Sequence, residues 1–328
     1  MIEKLISLLF VGALAGQAGA ATVPPPENAT QAHRVGFAFH SAFLMNLHHF
    51  LYDMAVHKDK LATVAWEQAP SAQELRALDG AIDFYRRQYA ALGIREAPLL
   101  VGIKIGLSAG GDDRRRAGGL NLPRELEAVL DAAAPAYARC LWPLHDRSNR
   151  AWIARATALD AAYGAEVQAG IEHHMENVFT TKPIRTDLVF ETGSRQGAYT
   201  DEQIVIPSGR RDYQDLASLE MLYHEASHIG VTVIMEDAVE VRLKASGRSQ
   251  ESDLWHVVQF YTVGEVTREV LARHGQPGYQ PYADKRGLYA GYWAPYMNVI
   301  DTVWREHMAG KIDVEQAAAE MVDRLPRQ

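Results

Sequence analysis

The sequence has a single cysteine, Cys140, which excludes an internal disulfide and a cluster of thiolate metal ligands. A metal ion held by this chain must therefore be bound through histidine, aspartate or glutamate. The sequence also lacks a basic run of the kind that follows a phosphate backbone, and its net charge is −8. Both features argue against nucleic acid as a partner.

Long apolar runs are also missing after residue 20, where none reaches the roughly 18 residues that a membrane-spanning helix needs. We therefore expect no membrane span. Residues 1–20 contain Lys4, a short apolar stretch and the small residues Ala18-Gly19-Ala20, a pattern typical of a secretory signal peptide and its cleavage site. The sequence thus predicts an exported protein, periplasmic or secreted. Residues 21–32 include three consecutive prolines and predict an extended lead-in.

Hydrophobic residues make up 48% of the chain and charged residues 23%, which is the composition of an ordinary globular protein. Apolar periodicity predicts a mainly helical segment over residues 33–180, in which Ser71 is placed as the N-cap of a helix. Within this segment, residues 98–105 are rich in β-branched side chains and flanked by proline and glycine, which predicts a strand.

The pattern changes after residue 180. Residues 184–191 and 203–207 predict a small β-hairpin or sheet edge, and further helices are predicted over residues 215–229, 253–274, 295–308 and 313–325. We therefore predict a mainly helical α+β fold with a single catalytic unit over residues 33–328. Its helical half spans residues 33–180 and its metal-site half spans residues 181–328, with the small sheet preceding the helix at 215–229.

Residues 224–228 have the sequence His-Glu-Ala-Ser-His, an H-E-x-x-H motif inside a segment with helical periodicity. Residues four apart lie on one face of a helix, so His224 and His228 can bind the same ion. Glu225 points about 100° further round the helix, from where its carboxylate can reach a water molecule beside the metal. The motif therefore predicts two ligands and a general base within one turn. The alternative is a buried helix on which these side chains make ordinary hydrogen bonds.

A catalytic zinc ion usually takes three protein ligands, so one more must come from elsewhere in the chain. We predict Glu265, in the apolar helix at residues 253–274, because a carboxylate there is costly to bury unless it is paired or bound to a metal. His256 competes for this role. It lies nine residues earlier, on the opposite face of the same helix, so only one of the two can face the metal.

Other residues are assigned around this site. Glu269, one turn after Glu265, could orient a ligand histidine, or it could pair on the surface with a neighbouring arginine. Tyr289 and Arg286, in a later loop, are candidate donors to the oxyanion of a tetrahedral intermediate. The strand at residues 203–207, if it forms a sheet edge, could hold an extended peptide by backbone hydrogen bonds.

The run at residues 219–228, followed by a glutamate on a later helix, resembles the gluzincin type of zinc metallopeptidase. More closely, four segments together are similar to an uncharacterised family of exported bacterial H-E-x-x-H proteins, namely residues 46–50 (Asn-Leu-His-His-Phe), 197–200 (Gly-Ala-Tyr-Thr), 224–228 and 260–265 (Phe-Tyr-Thr-Val-Gly-Glu). The resemblance implies a zincin-like fold, one Zn²⁺ on His224, His228 and Glu265, and Glu225 as the base. Glu269 stands where many gluzincins carry a supporting aspartate.

The predicted function is that of an exported zinc metallopeptidase acting on a peptide or protein substrate, in which the ion activates water and Glu225 accepts its proton. A first alternative is a non-catalytic zinc- or peptide-binding protein on the same fold, and the intact Glu225 counts against it. A second takes residues 225–228 as the E-x-x-H half of a di-iron helical bundle. That site needs a second E-x-x-H, which the sequence lacks.

Overall fold

The computed structural model describes residues 34–57, 60–193, 197–251 and 253–326. The predicted signal peptide and lead-in, residues 1–32, lie outside these ranges. No helix among the described residues is long and apolar enough to cross a membrane.

A four-stranded mixed sheet forms the centre of the fold. Its strands are β1 (Phe37–His40), β2 (Ile184–Val189), β3 (Tyr199–Thr200) and β4 (Ile204–Pro207), in the spatial order β1-β2-β4-β3. β2 pairs in parallel with both β1 and β4, and the short β3 pairs antiparallel with β4. The strands predicted at 184–191 and 203–207 are therefore present, but they run parallel and form no hairpin with each other. β4 is an interior strand rather than the predicted edge, and β3 is the edge beside it.

Helices account for most of the remaining structure, so the predicted mainly helical α+β class is confirmed. In chain order they are α1 (Phe43–Val56), α2 (Ala72–Gln88), α3 (Pro98–Ser108), α4 (Arg124–Cys140), α5 (Trp142–Met175), α6 (Ala217–Ser227), α7 (Val233–Ala245), α8 (Leu254–Arg273), α9 (Tyr282–Lys285), α10 (Ala294–Val299), α11 (Arg305–Met308) and α12 (Val314–Arg324). One π-helical turn, Ile300–Trp304, joins α10 to α11.

The sheet separates two hydrophobic cores. Along a strand, successive side chains point to opposite faces. Val189 and Val205 accordingly pack into a core built mainly from α1 to α4, whereas Leu188, Ile204 and Ile206 pack into a second core with α5 to α8 and α12. β4 is buried at every position, and for this reason its sequence reads as a continuous apolar run.

The prediction of a strand at residues 98–105 is wrong, because this segment forms α3. Pro98 occupies the first turn, where its missing N–H costs nothing. Leu100, Ile103 and Leu107 are buried while Leu99 and Ile105 are exposed, which is the spacing of a helix rather than of a strand. In contrast, the predicted N-cap is confirmed: Ser71 accepts a hydrogen bond from the Glu74 amide and forms a capping box with it.

Two buried histidines of the first core make the stability of the fold sensitive to acid. Burial lowers the pKa of His49 and of His145 to about 3. The folded chain therefore keeps both imidazoles neutral down to that pH, whereas the unfolded chain protonates them below about 6.5. The contribution of these two neutral histidines to the free energy of unfolding is fully present above pH 6.5. It is lost as the pH falls from 6.5 towards 3.

We expect each of these histidines to remove about 2 kcal/mol from the free energy of unfolding between pH 7 and pH 5. The replacement His145→Gln keeps a polar partner for the Tyr137 hydroxyl, which lies 2.8 Å from Nδ1 of His145. Urea denaturation should show that the free energy of unfolding falls less between pH 7 and pH 5 for this variant than for the wild type. The exposed His173 provides the control, His173→Gln. Equal losses in the wild type and His145→Gln would contradict the prediction.

Candidate metal centre and active site

The first two histidines of the site come from the last turn of α6. Every residue from Ser218 to Ser227 is buried, so α6 is an internal helix whose polar side chains must find partners inside the protein. His228 caps the helix with helical dihedral angles, φ −63° and ψ −16°, so it keeps the spacing of one turn from His224. The two ring centroids are 5.0 Å apart and the ring planes are nearly perpendicular.

The third histidine comes from the first turn of α8. The centroid of the His256 ring lies 5.5 Å from that of His224 and 5.3 Å from that of His228. One nitrogen from each of the three rings can be chosen so that all lie within 4.8 Å of one another. Among the described residues, these three histidines are the group of His, Cys, Asp and Glu side chains that could hold a metal ion.

A buried glutamine fixes the position of α8 against α6. The side-chain Nε2 of Gln259 donates to the backbone oxygen of His224 at 3.1 Å and to the hydroxyl of Ser227 at 2.6 Å. Gln259 lies three residues after His256, on the neighbouring turn of α8. The hydrogen bonds that hold the two helices together therefore also hold His256 beside the H-E-x-x-H turn.

Aromatic side chains enclose the histidine cluster. Phe260 stacks on the His224 ring with a centroid distance of 3.7 Å. Trp255 meets the edge of His228 at 5.8 Å, and Trp293 meets His256 at the same distance. These contacts restrict the orientations of the imidazoles, which is a requirement for a preformed ligand set.

All three imidazoles are neutral, which is the form that binds metals. Burial lowers the pKa of His228 to about 3 and that of His256 to about 4, and it lowers the pKa of His224 as well. Nδ1 of His224 is buried and has no hydrogen-bond partner among the described residues. A buried polar atom normally has such a partner, so this unpaired nitrogen fits a ligand that is bound from outside the chain.

Glu225 lies beside the cluster with one carboxylate oxygen already engaged. The Thr200 hydroxyl, at the end of the edge strand β3, lies 2.8 Å from Oε2 of Glu225 and 2.9 Å from its backbone oxygen. Burial raises the pKa of Glu225 to about 8, and the hydrogen bond from Thr200 opposes that shift. Oε1 accepts no hydrogen bond within the described part of the chain, which leaves it available to a substrate or water.

The three histidines and Glu225 line one cavity of about 720 Å³. Residues 197–200 of the β3 segment form one wall, and α8 together with the loop after α9 forms another. Of the described arginines, three also line the cavity: Arg95, Arg210 and Arg286. The volume falls within the range of small-molecule sites and would admit a short peptide segment.

The predicted third ligand, Glu265, lies outside the histidine cluster, and His256 occupies that position. The Glu265 carboxylate pairs with Arg268, at 2.6 Å, on the opposite side of α8. Nine residues turn a helix by about 900°, so the rotation of α8 that brings His256 to the site necessarily turns Glu265 away. Glu269 is exposed and lies 3.9 Å from Arg268, which fits the surface pairing rather than a role behind a ligand.

Tyr289, which we predicted as a donor to the oxyanion, also lies away from the cavity. Its side chain packs between Tyr261 and Trp293, with centroid distances of 6.0 and 6.1 Å, and its hydroxyl is buried without a described partner. It does not line the cavity, whereas the alternative donor Arg286 does. We therefore remove Tyr289 from the candidate oxyanion donors and retain Arg286.

Glu220 supports the site from behind and was not anticipated from the sequence. It lies one turn before His224 on α6 and accepts hydrogen bonds from the Tyr279 hydroxyl and from the backbone N–H of Tyr282, the latter at 3.0 Å. Burial raises its pKa to about 7. Glu220 thereby ties the start of α9, which Arg286 follows directly, to the same helix that carries the motif. A sequence signal existed, since Glu220 and His224 are four residues apart on a buried helix.

No family model, curated protein or solved structure matches this chain. The resemblance to gluzincins therefore stays a prediction.

The third ligand can be identified by metal analysis of two variants on the same helix. We expect His256→Ala to lose most of its bound metal, because removing one of three imidazoles leaves only two protein donors. Glu265→Ala should retain the metal, because its carboxylate pairs with Arg268 outside the cluster. Metal content per chain, measured by mass spectrometry after dialysis, checks both. If His256→Ala kept its metal and Glu265→Ala lost it, Glu265 would be the third ligand.

Proposed function

We propose that this chain is a zinc-dependent hydrolase, and most specifically a peptidase, with a zincin-like arrangement of its H-E-x-x-H helix. The observation that carries the proposal is the convergence of three neutral imidazoles with a buried glutamate on one open cavity. Three protein ligands with a fourth position left open are the pattern of catalytic zinc sites, whereas structural sites are closed by four.

The donor set supports zinc over other common ions. Imidazole nitrogen suits Zn²⁺, while Mg²⁺ and Ca²⁺ prefer oxygen ligands. Three histidines form a known catalytic zinc set, different from the His₂Glu set that the gluzincin resemblance implies. We therefore propose one Zn²⁺ on His224, His228 and His256, and we limit the gluzincin resemblance to the helix that carries the motif.

Glu225 is the residue that we propose as the general base. When bound, zinc lowers the pKa of a water molecule towards about 7 and polarises a substrate carbonyl. A nearby cation also favours the ionised form of a carboxyl group, which opposes the effect of burial on Glu225. Thr200 holds Oε2 in place. The free Oε1 can then accept a proton from water and deliver it to the leaving amine.

The cavity wall supports a peptide as the substrate. β3 is one of the two edge strands of the sheet, and its residues 199 and 200 line the cavity together with Gly197 and Ala198. An extended peptide can pair with such an edge by backbone hydrogen bonds. We therefore propose β3, rather than the strand at 203–207, as the edge that holds the peptide. Arg286 is the candidate that would donate to the oxyanion. The predicted signal sequence supports export to the periplasm or the exterior.

One conservative replacement distinguishes the role of the general base from that of the metal ligands. We expect Glu225→Gln to keep its zinc and to lose hydrolysis by about 10²- to 10⁴-fold, since the amide cannot accept the proton from water. Glu269→Gln, which changes an exposed glutamate on α8, is the matched control and should hydrolyse at the wild-type rate. Cleavage of a defined peptide mixture, followed by mass spectrometry, measures both.

Equal hydrolysis by the wild type and Glu225→Gln would remove the proposed enzymatic role of this residue. Zinc binding without cleavage of any peptide by the wild type would favour the non-catalytic zinc- or peptide-binding alternative.

A further inference from the structure

Three arginines of the described residues line the cavity, and two of them lie beside a largely buried carboxylate, that of Asp212. Arg210 makes a bidentate pair with Asp212, with distances of 2.9 and 2.7 Å. Arg286 lies 3.5 Å from the same aspartate. Asp212 therefore holds the Arg210 guanidinium in place and also attracts that of Arg286.

Arg95 differs from the other two because it has no strong partner. Its closest acidic group is the neighbouring Glu96, 3.7 Å away, and both side chains are more than half exposed. Such a pair contributes little. The Arg95 guanidinium donates no hydrogen bond to any other described residue, so all of its donors are available to a ligand in the cavity.

The backbone that carries Arg95 is nevertheless fixed on its N-terminal side. The Tyr52 hydroxyl donates to the backbone oxygen of Leu92 at 2.7 Å. The Lys104 ammonium donates to the backbone oxygen of Ile94 at 2.8 Å, and Ile94 itself is fully buried. The free guanidinium is therefore presented from an anchored segment between α2 and α3.

Lys104 also connects this segment to the general base. It is buried, with a relative exposure of 1%, and pairs with Asp201, the residue after Thr200. The Lys104 ammonium thus binds both Ile94, the residue before Arg95, and Asp201. Asp201 follows Thr200, which donates a hydrogen bond to Glu225. A buried charge is costly unless it is paired, so this connection is a specific feature of the fold.

Arg95 lines the same cavity as His224, His228 and His256, the proposed metal ligands. Burial is the main cause of the low pKa values of His228 and His256, and the positive charge of Arg95 lowers both further. An unpaired cation facing a preformed zinc site provides a natural position for an anionic part of the substrate.

We propose that Arg95 is a specificity-determining residue that binds a carboxylate of the peptide substrate. This inference rests on the proposed function, since it names the substrate class for that same site. The planar fork of a guanidinium matches a carboxylate through two parallel hydrogen bonds. The carboxylate can be the C-terminus of a peptide or the side chain of an acidic residue, and these sources differ in what they require of the substrate.

Binding to the zinc-loaded Glu225→Gln protein, in which turnover is suppressed, tests this recognition. The probes are acetyl-Ala-Phe-Ala as the free acid, the same peptide as its C-terminal amide, and acetyl-Ala-Glu-Ala amide. We expect at least one carboxylate-bearing probe to bind about 10- to 100-fold more tightly than the neutral amide. A preference for the free acid indicates the C-terminus as the source, and a preference for the glutamate probe indicates a side chain. Calorimetry measures the affinities.

Adding Arg95→Ala to this protein should abolish the preference while leaving the affinity for the neutral amide within about twofold. That unchanged affinity also shows that the cavity is intact. Arg87→Ala removes an exposed arginine from α2 and is the control for loss of charge, so it should keep the preference. Equal affinities of the Glu225→Gln protein for all three probes would overturn the inference. A preference for a carboxylate-bearing probe that persists after Arg95→Ala would also overturn it.

The two proposals fail in different ways. If the wild-type chain cleaves the acid and amide probes with equal kcat/KM, and binding shows no dependence on Arg95, the hydrolase stands and the carboxylate site is rejected. If binding depends on Arg95 but the wild type cleaves no peptide, the carboxylate site stands and the hydrolase is rejected.

Discussion

The site depends on the contact between two buried helices, α6 and α8, and within it on the side chain of Gln259. A hydrogen-bonded amide between helices is directional, so it fixes both the rotation and the translation of one helix against the other, which apolar packing alone does less strictly. By donating to the His224 carbonyl and to Ser227, Gln259 sets which face of α8 meets the motif. His256 and Phe260 lie on that face, so the third imidazole and the ring that stacks on His224 reach the site together.

The same contact explains what the sequence could and could not predict. The H-E-x-x-H pair is a local feature, because four-residue spacing on a helix suffices to bring His224 and His228 together. Helical geometry also required that only one of His256 and Glu265 face the metal. It could not decide between them, because the rotation of α8 is set by tertiary contacts with α6. The prediction of Glu265 depends on the cost of burying an unpaired carboxylate, and Arg268, one turn further along α8, already gives that carboxylate a partner.

Elsewhere in the fold, predictions failed where tertiary context outweighed local pattern. The apolar segment that forms α3 is too short for its period to be distinguished from that of a buried strand, and the helix emerges only through burial of Leu100, Ile103 and Leu107. The sheet also includes β1, a strand within the region predicted to be helical, and the two-residue β3, which covers the edge of β4. Which strands pair is set by contacts between segments distant in the chain, so the local pattern of β4 does not show that it is an interior strand.

The cavity lies where the two cores meet, and for this reason its chemistry is distributed over both halves of the chain. The C-terminal end of α6 supplies the histidine pair and the base. Nearer its N-terminal end, Glu220 accepts a hydrogen bond from Tyr282, the first residue of α9. The first half supplies Lys104, whose buried ammonium joins the Arg95 segment to the strand end that holds Glu225. A buried charge and a buried carboxyl each lose hydration, which is unfavourable unless a partner replaces the water. Asp201 supplies that partner for Lys104, and the Tyr279 hydroxyl and the Tyr282 amide supply it for Glu220, so both groups that support the site are paired inside the protein.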